Sequence, residues 1–372
     1  MQKIEKLESF KEVLRRQVPR IVGEPIPMKT YEIAHPKSCG NPWIGAYSKY
    51  GLWYKFYEGE QNDYDKIVAL SFESDSYFMN YESFFVWKSI SDGDFRFIVA
   101  KNLEGDVVGS VGLINHGTIV QLGLYYVTEE YRHSGIGSKI FNEILKNMKG
   151  KTLIFHSMSH IATKCSRFGF NQECEQWKFF EYTVENGSGF ENLLAIPSAE
   201  IKKLSELTES QLMELVEYDF NVCKIRRKEW IEKWLASVFS DTFVSFDGKG
   251  NINGYGNMRE VAGGYVRRIL VGPLYANNFQ IASSILYKLL KKFYNIDKDF
   301  EWDPDIYAIY RRSAYFIVPL ANNQMISLLE KLKGTGIIHK NRLFFQTRST
   351  RELPTPEFEK IFAVSDLHLS YI

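Results

Sequence analysis

This chain of 372 residues has few cysteines, almost no excess of charge of either sign and no long apolar runs. Its four cysteines include no CxxC pair, which argues against a zinc site and against a disulfide framework. The 46 basic and 45 acidic side chains leave a formal charge of +1, so the basic excess typical of nucleic-acid-binding proteins is missing. No run of about 18 apolar residues could span a membrane, and acidic residues within Met1–Arg20 argue against a secretory signal or a transit peptide. We therefore expect a cytoplasmic protein with no metal, nucleic acid or membrane among its partners.

The length of the chain suits two domains better than one. Hydrophobic residues make up 45% of the sequence, which is enough for a sizeable core, and aromatic residues make up 15%. The most linker-like segment, Glu185–Gly189, lies near the middle of the chain. The predicted domains are an N-terminal extension over 1–50, a first domain over 51–184, a second domain over 190–350 and a C-terminal tail over 351–372.

Hydrophobic periodicity predicts the same order of elements in both halves. In the first half, Phe95–Lys101, Val107–Ile114 and Thr118–Val127 read as an antiparallel meander of strands. The period then becomes helical over Gly135–Met148, and Thr152–Ser157 reads as the next strand. The second half repeats helices, meander, loop, helix and strand. The predicted fold class is α/β (α+β), with two similar domains in tandem, each a mixed, mostly antiparallel sheet flanked by helices.

The strongest local signal lies where the third strand of the first meander meets the following helix. The loop between them carries Gly135 and Gly137, and the helix that follows presents unpaired N–H groups with a partial positive charge. Glycine lets the backbone approach an anion without a Cβ in the way. Arg132, Ser138 and Lys139 are placed to assist. The physical chemistry alone predicts a phosphate-bearing ligand at this corner.

The first half, from about Trp53 to Thr183, resembles a GNAT-superfamily acetyltransferase. The string Tyr125–Lys139 is similar to the acetyl-CoA motif of that superfamily, and Phe168–Phe170 is similar to its later GF segment. The resemblance implies acetyl transfer from acetyl-CoA to an amine, with pantetheine on a splayed strand and pyrophosphate on the loop amides. The cofactor-binding residues that it implies are Tyr125, Tyr126, Val127, Arg132, His133, Ser134, Gly135, Ile136, Gly137, Ser138 and Lys139.

The second half resembles the C-terminal GNAT-like domain of YitH/HolE-type tandem acetyltransferases. The matching strings are Gly254–Arg259, Gly272–Ala276 and Val318–Asn322. At the loop equivalent to the acetyl-CoA motif, Val271–Asn278, the glycine pair is missing. We therefore expect this half to shape the acceptor site or the fold, with cofactor binding there as the less favoured alternative.

The resemblance leaves the proton donor and the proton acceptor open. In the superfamily, a tyrosine on the helix before the GF segment often protonates the leaving thiolate, and this sequence has Cys165 at that position. Either the thiol donates, or Tyr125 or Tyr126 substitutes, or solvent does. The candidate bases are His156 and either Glu73 or Asp75, because the strand Thr118–Val127 has no carboxylate. The predicted catalytic set is Tyr125, Cys165, His156 and Glu73.

The sequence leads to one favoured function and two alternatives. The favoured function is an N-acetyltransferase that uses acetyl-CoA, without a metal, on a small-molecule or amino-acid-like amine. The first alternative is acetylation of a protein lysine or N-terminus, which a neutral charge balance neither supports nor excludes. The second is a coenzyme A-binding sensor or scaffold, which the missing tyrosine suggests. The sequence leaves monomer or homodimer undecided.

Overall fold

The structure is a computed structural model that describes most of the chain after the N-terminal extension. The described residues are 40–75, 78–90, 94–117, 119–148, 150–158, 161, 164–173, 177–185, 193, 200–262, 267–295, 312–332, 337–348 and 353–370. Most of the predicted N-terminal extension, residues 1–39, lies outside them. Within the described residues, none of the helices has the length and the apolar character that crossing a membrane requires.

The described elements follow the predicted order in both halves. The helices are α1 (Gln61–Asp75), α2 (Ser83–Ile90), α3 (Ile136–Ile144), α4 (Glu209–Cys223), α5 (Lys228–Trp234), α6 (Phe279–Asn295) and α7 (Asn323–Leu332). The strands of the first half are β1 (Ala46–Tyr47), β2 (Trp53–Glu58), β3 (Phe95–Lys101), β4 (Val107–His116), β5 (Ile119–Val127), β6 (Thr152–Met158), β7 (Gln172–Glu173) and β8 (Phe179–Glu185). Those of the second half are β9 (Glu200–Lys203), β10 (Ser240–Phe246), β11 (Ile252–Val261), β12 (Arg267–Ala276), β13 (Arg312–Pro319), β14 (Ile337–Arg348) and β15 (Ile361–Ala363).

Each half contains an antiparallel meander followed by a helix and one parallel crossover. In the first half β2 to β5 form the meander, α3 packs on it, and β6 returns parallel to β5. In the second half β10 to β12 form the meander, and β13 returns parallel to β12 after α6. The crossover helix is held by its apolar stripe: Ile136, Ile140, Phe141 and Ile144 of α3 are all buried, and each such side chain contributes about 1.5–3 kcal/mol to folding. The predicted α/β tandem fold is confirmed.

The two halves share one sheet because they exchange strands at its centre. The order of hydrogen-bonded strands runs β5, β6, β14, β8, β13, β12. The second-half strand β14 pairs with β6, with Gln346 opposite His156, and the first-half strand β8 pairs with β13, with Phe316 opposite Tyr182. The predicted domain boundaries stay a prediction, but the strands on either side of the predicted linker are interleaved.

One strand continues beyond its predicted end. The sequence-based prediction places a loop over Val271–Asn278, whereas β12 runs on to Ala276 through Gly272 and Pro273. Proline normally interrupts a ladder because it has no N–H to donate. Here these two residues lie at an irregularity, where Val271 opposes Met258 and Leu274 opposes Gly256. A bulge is the place where a strand tolerates proline.

The predicted C-terminal tail packs into the core. After β15, residues 364–370, here called the strap, run between the two halves, and both Val364 and Leu369 are buried. The main chain of the strap occupies the space that two strand glycines leave open. An ideal Cβ on Gly123 of β5 would lie 1.4 Å from the carbonyl oxygen of His368, and one on Gly272 of β12 would lie 1.8 Å from that of Val364. The strap therefore contacts equivalent points on both parallel strand pairs.

Candidate functional site

The first half contains a strand pair that opens part of the way along its length. β5 and β6 pair in parallel as far as Leu122 opposite Phe155. Beyond this pair the ladder with β4 shifts register, and Leu124 adopts a φ of 52°. The main-chain edge of Tyr125–Val127 that faces β6 therefore has no strand beside it among the described residues. Such an edge offers N–H and C=O groups to an extended ligand.

The loop after β5 ends in an open helix N-terminus. Gly135 caps α3 with a φ of 95°, and the first helical hydrogen bond runs from the Lys139 amide to the Gly135 carbonyl, at 3.2 Å. The Ile136 amide is directed to Ser134 Oγ at 3.4 Å, so the amides of Gly137 and Ser138 precede the helical ladder. An ideal Cβ on Gly135 would meet no atom within 4 Å. Open space, unused amides and the positive end of a helix dipole together fit a diphosphate.

The two glycines at this corner, Gly135 before α3 and Gly137 in its first turn, are required for different reasons. An ideal Cβ on Gly137 would lie 2.4 Å from the hydroxyl oxygen of Tyr125. The second glycine thus makes room for a tyrosine side chain, whereas the first leaves space open to solvent. Sequence reasoning assigned both glycines to the approach of an anion, and it could not foresee the contact with Tyr125.

The basic side chains at the loop serve the strand as well as the opening. Arg132 Nε donates to the carbonyl of Val127 at 3.0 Å, which fixes the end of β5. Lys139 Nζ lies 5.5 Å from the centre of the Tyr54 ring. His133 and Ser138 are exposed beside the helix N-terminus. These four residues, all predicted to bind the cofactor, thus lie close together around the loop.

A cavity lies where β5 and β6 separate, and both halves contribute to it. The empty space at this point, counted together with the solvent at the mouth of the cavity, is about 790 Å³. It is lined by Gly123–Tyr126 of β5 and Phe155–Ser157 of β6, by Glu181 and Tyr315 of the central strands, and by Asp366–His368 of the strap. The cavity therefore adjoins the unpaired edge of β5, and the second half closes its far side.

Tyr125 and Cys165, two of the predicted catalytic residues, are neighbours on the α3 side of the sheet. Burial and the nearby Cys165 raise the pKa of Tyr125 to about 12. Burial likewise raises the pKa of the Cys165 thiol to about 11. Both groups therefore keep their protons at neutral pH. The Tyr125 hydroxyl lines the approach to the helix N-terminus, whereas Cys165 is buried in the first-half core.

The two predicted bases have different surroundings. His156 lines the cavity, and its Nδ1 lies 2.9 Å from the amide nitrogen of Gln121. Because an amide nitrogen only donates, Nδ1 accepts, and the neutral ring carries its proton on Nε2. Glu73 is exposed on α1 and is not among the residues that line the cavity. The structure thus brings Tyr125 and His156 to the cavity and leaves Glu73 outside it.

Three ionisable residues of the cavity have no counterpart in the sequence-based prediction. The Glu181 carboxylate accepts a short hydrogen bond from the Tyr315 hydroxyl. Asp366 accepts from the amides of His368 at 2.9 Å and Leu369 at 3.3 Å. Burial lowers the pKa of His368. Glu181 lies in a strand exchanged with the second half and the others in a predicted tail, so no local motif marks them.

The equivalent groove of the second half is filled by the chain itself. β12 and β13 pair as far as Val271 opposite Phe316, which matches the point where the first half opens. Beyond it β15 pairs with β12, placing Ala363 opposite Leu274 and Ile361 opposite Tyr275. This half therefore lacks the open strand edge of the first. Among the described residues, no group of three or more His, Cys, Asp or Glu is arranged to hold a metal ion.

Comparison with known proteins gives matches in both halves. The Acetyltransferase (GNAT) family matches residues 53–170, and an Acetyltransferase (GNAT) domain matches residues 215–295. A Caenorhabditis elegans protein described as uncharacterized is 26% identical over 194 residues, which cover 50% of this chain and 60% of that protein. The chain thus spans less than two thirds of the curated relative that it matches.

Solved structures share the fold at low sequence identity. A candidate acetyltransferase from Pyrococcus horikoshii has a TM-score of 0.57 at 16% identity, covering 86% of this chain and 95% of its own. A tandem GNAT protein from the clavulanic acid biosynthesis pathway has a TM-score of 0.53 at 12% identity, covering 80% and 99%. Saccharomyces cerevisiae N-myristoyltransferase, solved with myristoyl-CoA and inhibitors, has a TM-score of 0.51 at 12% identity, covering 98% and 100%. With a GNAT match in each half and one topology repeated in both, the chain belongs to the GNAT superfamily of acyl-CoA-dependent acetyltransferases and carries two GNAT-type domains in tandem.

Proposed function

We propose that the protein transfers an acetyl group from acetyl-CoA to the amine of a small-molecule acceptor within a ternary complex. The observation that carries this proposal is the junction of three features: the unpaired edge of β5, the unused amides at the start of α3 and the cavity beside them. Tyr125–Val127 would hold pantetheine, and the amides of Gly137 and Ser138 would hold the pyrophosphate. Acetyl-CoA supplies the activated carbonyl.

The form of the cavity favours a small acceptor over a protein side chain. It is enclosed by strands of both halves and by the strap, with Gly123 pressed against His368. Acetylation of a protein lysine or N-terminus remains the alternative, and it requires that the part of the acceptor entering the cavity is narrow and extended. A sensor that binds coenzyme A without turnover is the alternative if no amine reacts.

Thermal denaturation with acetyl-CoA and thiol release with pooled amines test the proposal directly. Bound acetyl-CoA should raise the melting temperature of the full chain, because a ligand that binds only the folded state stabilises it. Thiol release with amines, absent without them, separates an enzyme from a sensor. Longer acyl-CoA thioesters measured in parallel define the preferred chain length. The proposal fails if acetyl-CoA produces no shift.

Glu181 is the cavity group best suited to accept a proton from the acceptor. An alkyl ammonium with a pKa near 10.4 needs roughly 4.6 kcal/mol to lose its proton near pH 7. The carboxylate of Asp366 already accepts from two amides and the Ser370 hydroxyl, and His156 Nε2 carries a proton. Replacing Glu181 by Gln should therefore lower kcat about 100-fold or more at pH 7.

The pH profile and a matched variant decide the role of Glu181. Activity of Glu181→Gln should recover as the pH approaches the pKa of the acceptor, since the amine then needs no base. Glu73→Gln changes the same kind of group outside the cavity and should leave kcat within about 2-fold. A Glu181→Gln rate that stays equally depressed at pH 10 would rule out the base role.

Tyr125 is the proposed donor to the leaving thiolate. Its pKa near 12 keeps the hydroxyl protonated, and the hydroxyl lies over Gly137 at the start of α3. Replacing Tyr125 by Phe should lower kcat about 100-fold and leave the Kd of acetyl-CoA within about 3-fold. Cys165→Ala should change kcat much less. Equal losses in both variants, or a loss in Cys165→Ala alone, would transfer the role to the thiol.

A further inference from the structure

Arg259 of β11 is a buried cation that contacts no carboxylate. It is 2% exposed, and its guanidinium carbon lies 3.5 Å from the centre of the Trp234 ring. Its two terminal nitrogens donate to neutral oxygens, one to the Trp234 carbonyl at 3.3 Å and one to Ser83 Oγ at 3.5 Å. The Nε–H group at the edge of the guanidinium has no hydrogen-bond acceptor among the described residues.

The charge on this side chain persists at neutral pH. Burial lowers the pKa of Arg259 only to about 10. The acidic group with the largest influence on it, Asp366, is hydrogen-bonded within the strap by two amides and the Ser370 hydroxyl. No carboxylate oxygen of the described residues comes within 4.0 Å of Arg259. A buried cation without an anionic partner is unfavourable unless a ligand supplies the negative charge.

Arg259 lies beside the acceptor cavity. It lines a small chamber together with Ser83 and Trp87. Five residues line both this chamber and the larger cavity: Phe78, Met79, Leu270, Asp366 and His368. The two spaces are thus neighbours, with Glu181 lining the larger one only. The chamber contributes the Arg259 cation, and the larger cavity contributes the Glu181 carboxylate.

We propose that Arg259 binds the carboxylate of the acceptor, so that the substrate is a small amine bearing a carboxyl group, of the amino-acid class. The inference rests on the proposed function, because it concerns the acceptor cavity of that same site. A guanidinium suits the planar carboxylate, to which it donates in-plane hydrogen bonds. The chamber is small and Asp366 is close, which disfavours a doubly charged phosphate. Arg259 is then a specificity-determining residue.

The experiment compares acceptors that differ only in the carboxylate. Thiol release is measured with the full chain for glycine against methylamine and for phenylalanine against phenethylamine. The wild-type protein should show a kcat/KM at least about 30-fold higher for the carboxylate-bearing member of the better pair. Arg259→Met should remove that preference by lowering kcat/KM for the amino acid about 30-fold or more, while the value for the amine changes less than about 3-fold.

Two further variants separate recognition from structure. Arg259→Lys keeps the charge and should restore part of the preference, because a Lys ammonium still pairs with a carboxylate. Arg226→Met alters an exposed arginine that pairs with Glu217. This control should leave kcat/KM unchanged for both the amino acid and the amine. If Arg259 has only a structural role, Arg259→Met should lower kcat/KM equally for the amino acid and for the amine, and it should also lower the melting temperature.

The outcomes distinguish this inference from the proposed function. If acetyl-CoA does not raise the melting temperature of the wild-type protein, the proposed function itself is rejected. If acetyl-CoA raises the melting temperature but the amines and the amino acids have equal kcat/KM, only the role of Arg259 is rejected. If Arg259→Met fails to fold, the wild-type preference within the matched pairs decides alone, and its absence overturns the inference.

Discussion

Replacing Gly135 by Val should raise the Kd of acetyl-CoA at least about 100-fold. Gly135 has a φ of 95°, and its ideal Cβ projects into empty space at the start of α3. A branched side chain there would fill the space proposed for the diphosphate. It would also strain the backbone and tilt the amides of Gly137 and Ser138. Loss of two hydrogen bonds to a charged group, each worth about 1.5–3 kcal/mol, accounts for the expected change in Kd.

Gly150→Val is the matched control for this substitution. Gly150 also has a positive φ, 82°, and also has no atom within 4 Å of its ideal Cβ, but it lies beyond the opposite end of α3. Both variants therefore carry similar backbone strain. A difference between their Kd values for acetyl-CoA would show that the position at the start of α3 matters, and not the strain alone. Titration of each protein with acetyl-CoA by calorimetry gives the comparison. Equal affinities in the two variants would contradict the assignment of the loop.

Local features of the fold and of the cofactor loop could be predicted from the sequence. The strand Phe95–Lys101 has the bounds that periodicity predicts, and α3 begins at the predicted corner, directly after Gly135. These features depend on residues close together in the chain, where propensity and capping act directly. The helix of Gly135–Met148 was predicted too long because its last turn unwinds after Ile144.

The arrangement of the acceptor cavity could not be predicted in the same way. Glu181 reaches the cavity because β8 pairs with strands more than a hundred residues later in the chain. Arg259 reaches the neighbouring chamber from the second meander, and Asp366 reaches the cavity through a strap that the sequence-based prediction places in a C-terminal tail. Strand exchange and strap insertion are long-range choices that periodicity does not encode. The resemblance to a family supplies the cofactor loop and not the acceptor residues.

Replacing Gly123 by Ala should detach the strap and abolish most of the activity. The new Cβ would lie 1.4 Å from the carbonyl oxygen of His368, where about 3.4 Å is the ordinary lower limit. The atom that must give way belongs to a main chain and not to a flexible side chain. Because the strap buries Leu367 and Leu369, its displacement should cost about 3–6 kcal/mol of unfolding free energy. Asp366 and His368 would leave the cavity together with it.

Urea unfolding and hydrogen exchange of residues 364–370 measure the two parts of this prediction. The strap amides of Gly123→Ala should exchange much faster than those of the wild-type protein, because they would be released from the core. Gly248→Ala is the control, since nothing lies within 4 Å of its ideal Cβ and its φ is not positive. That change should leave stability within about 1 kcal/mol. A Gly123→Ala protein with wild-type stability and protected strap amides would mean that β5 and the strap do not touch, and the cavity would then lack the wall that places Asp366 beside Arg259.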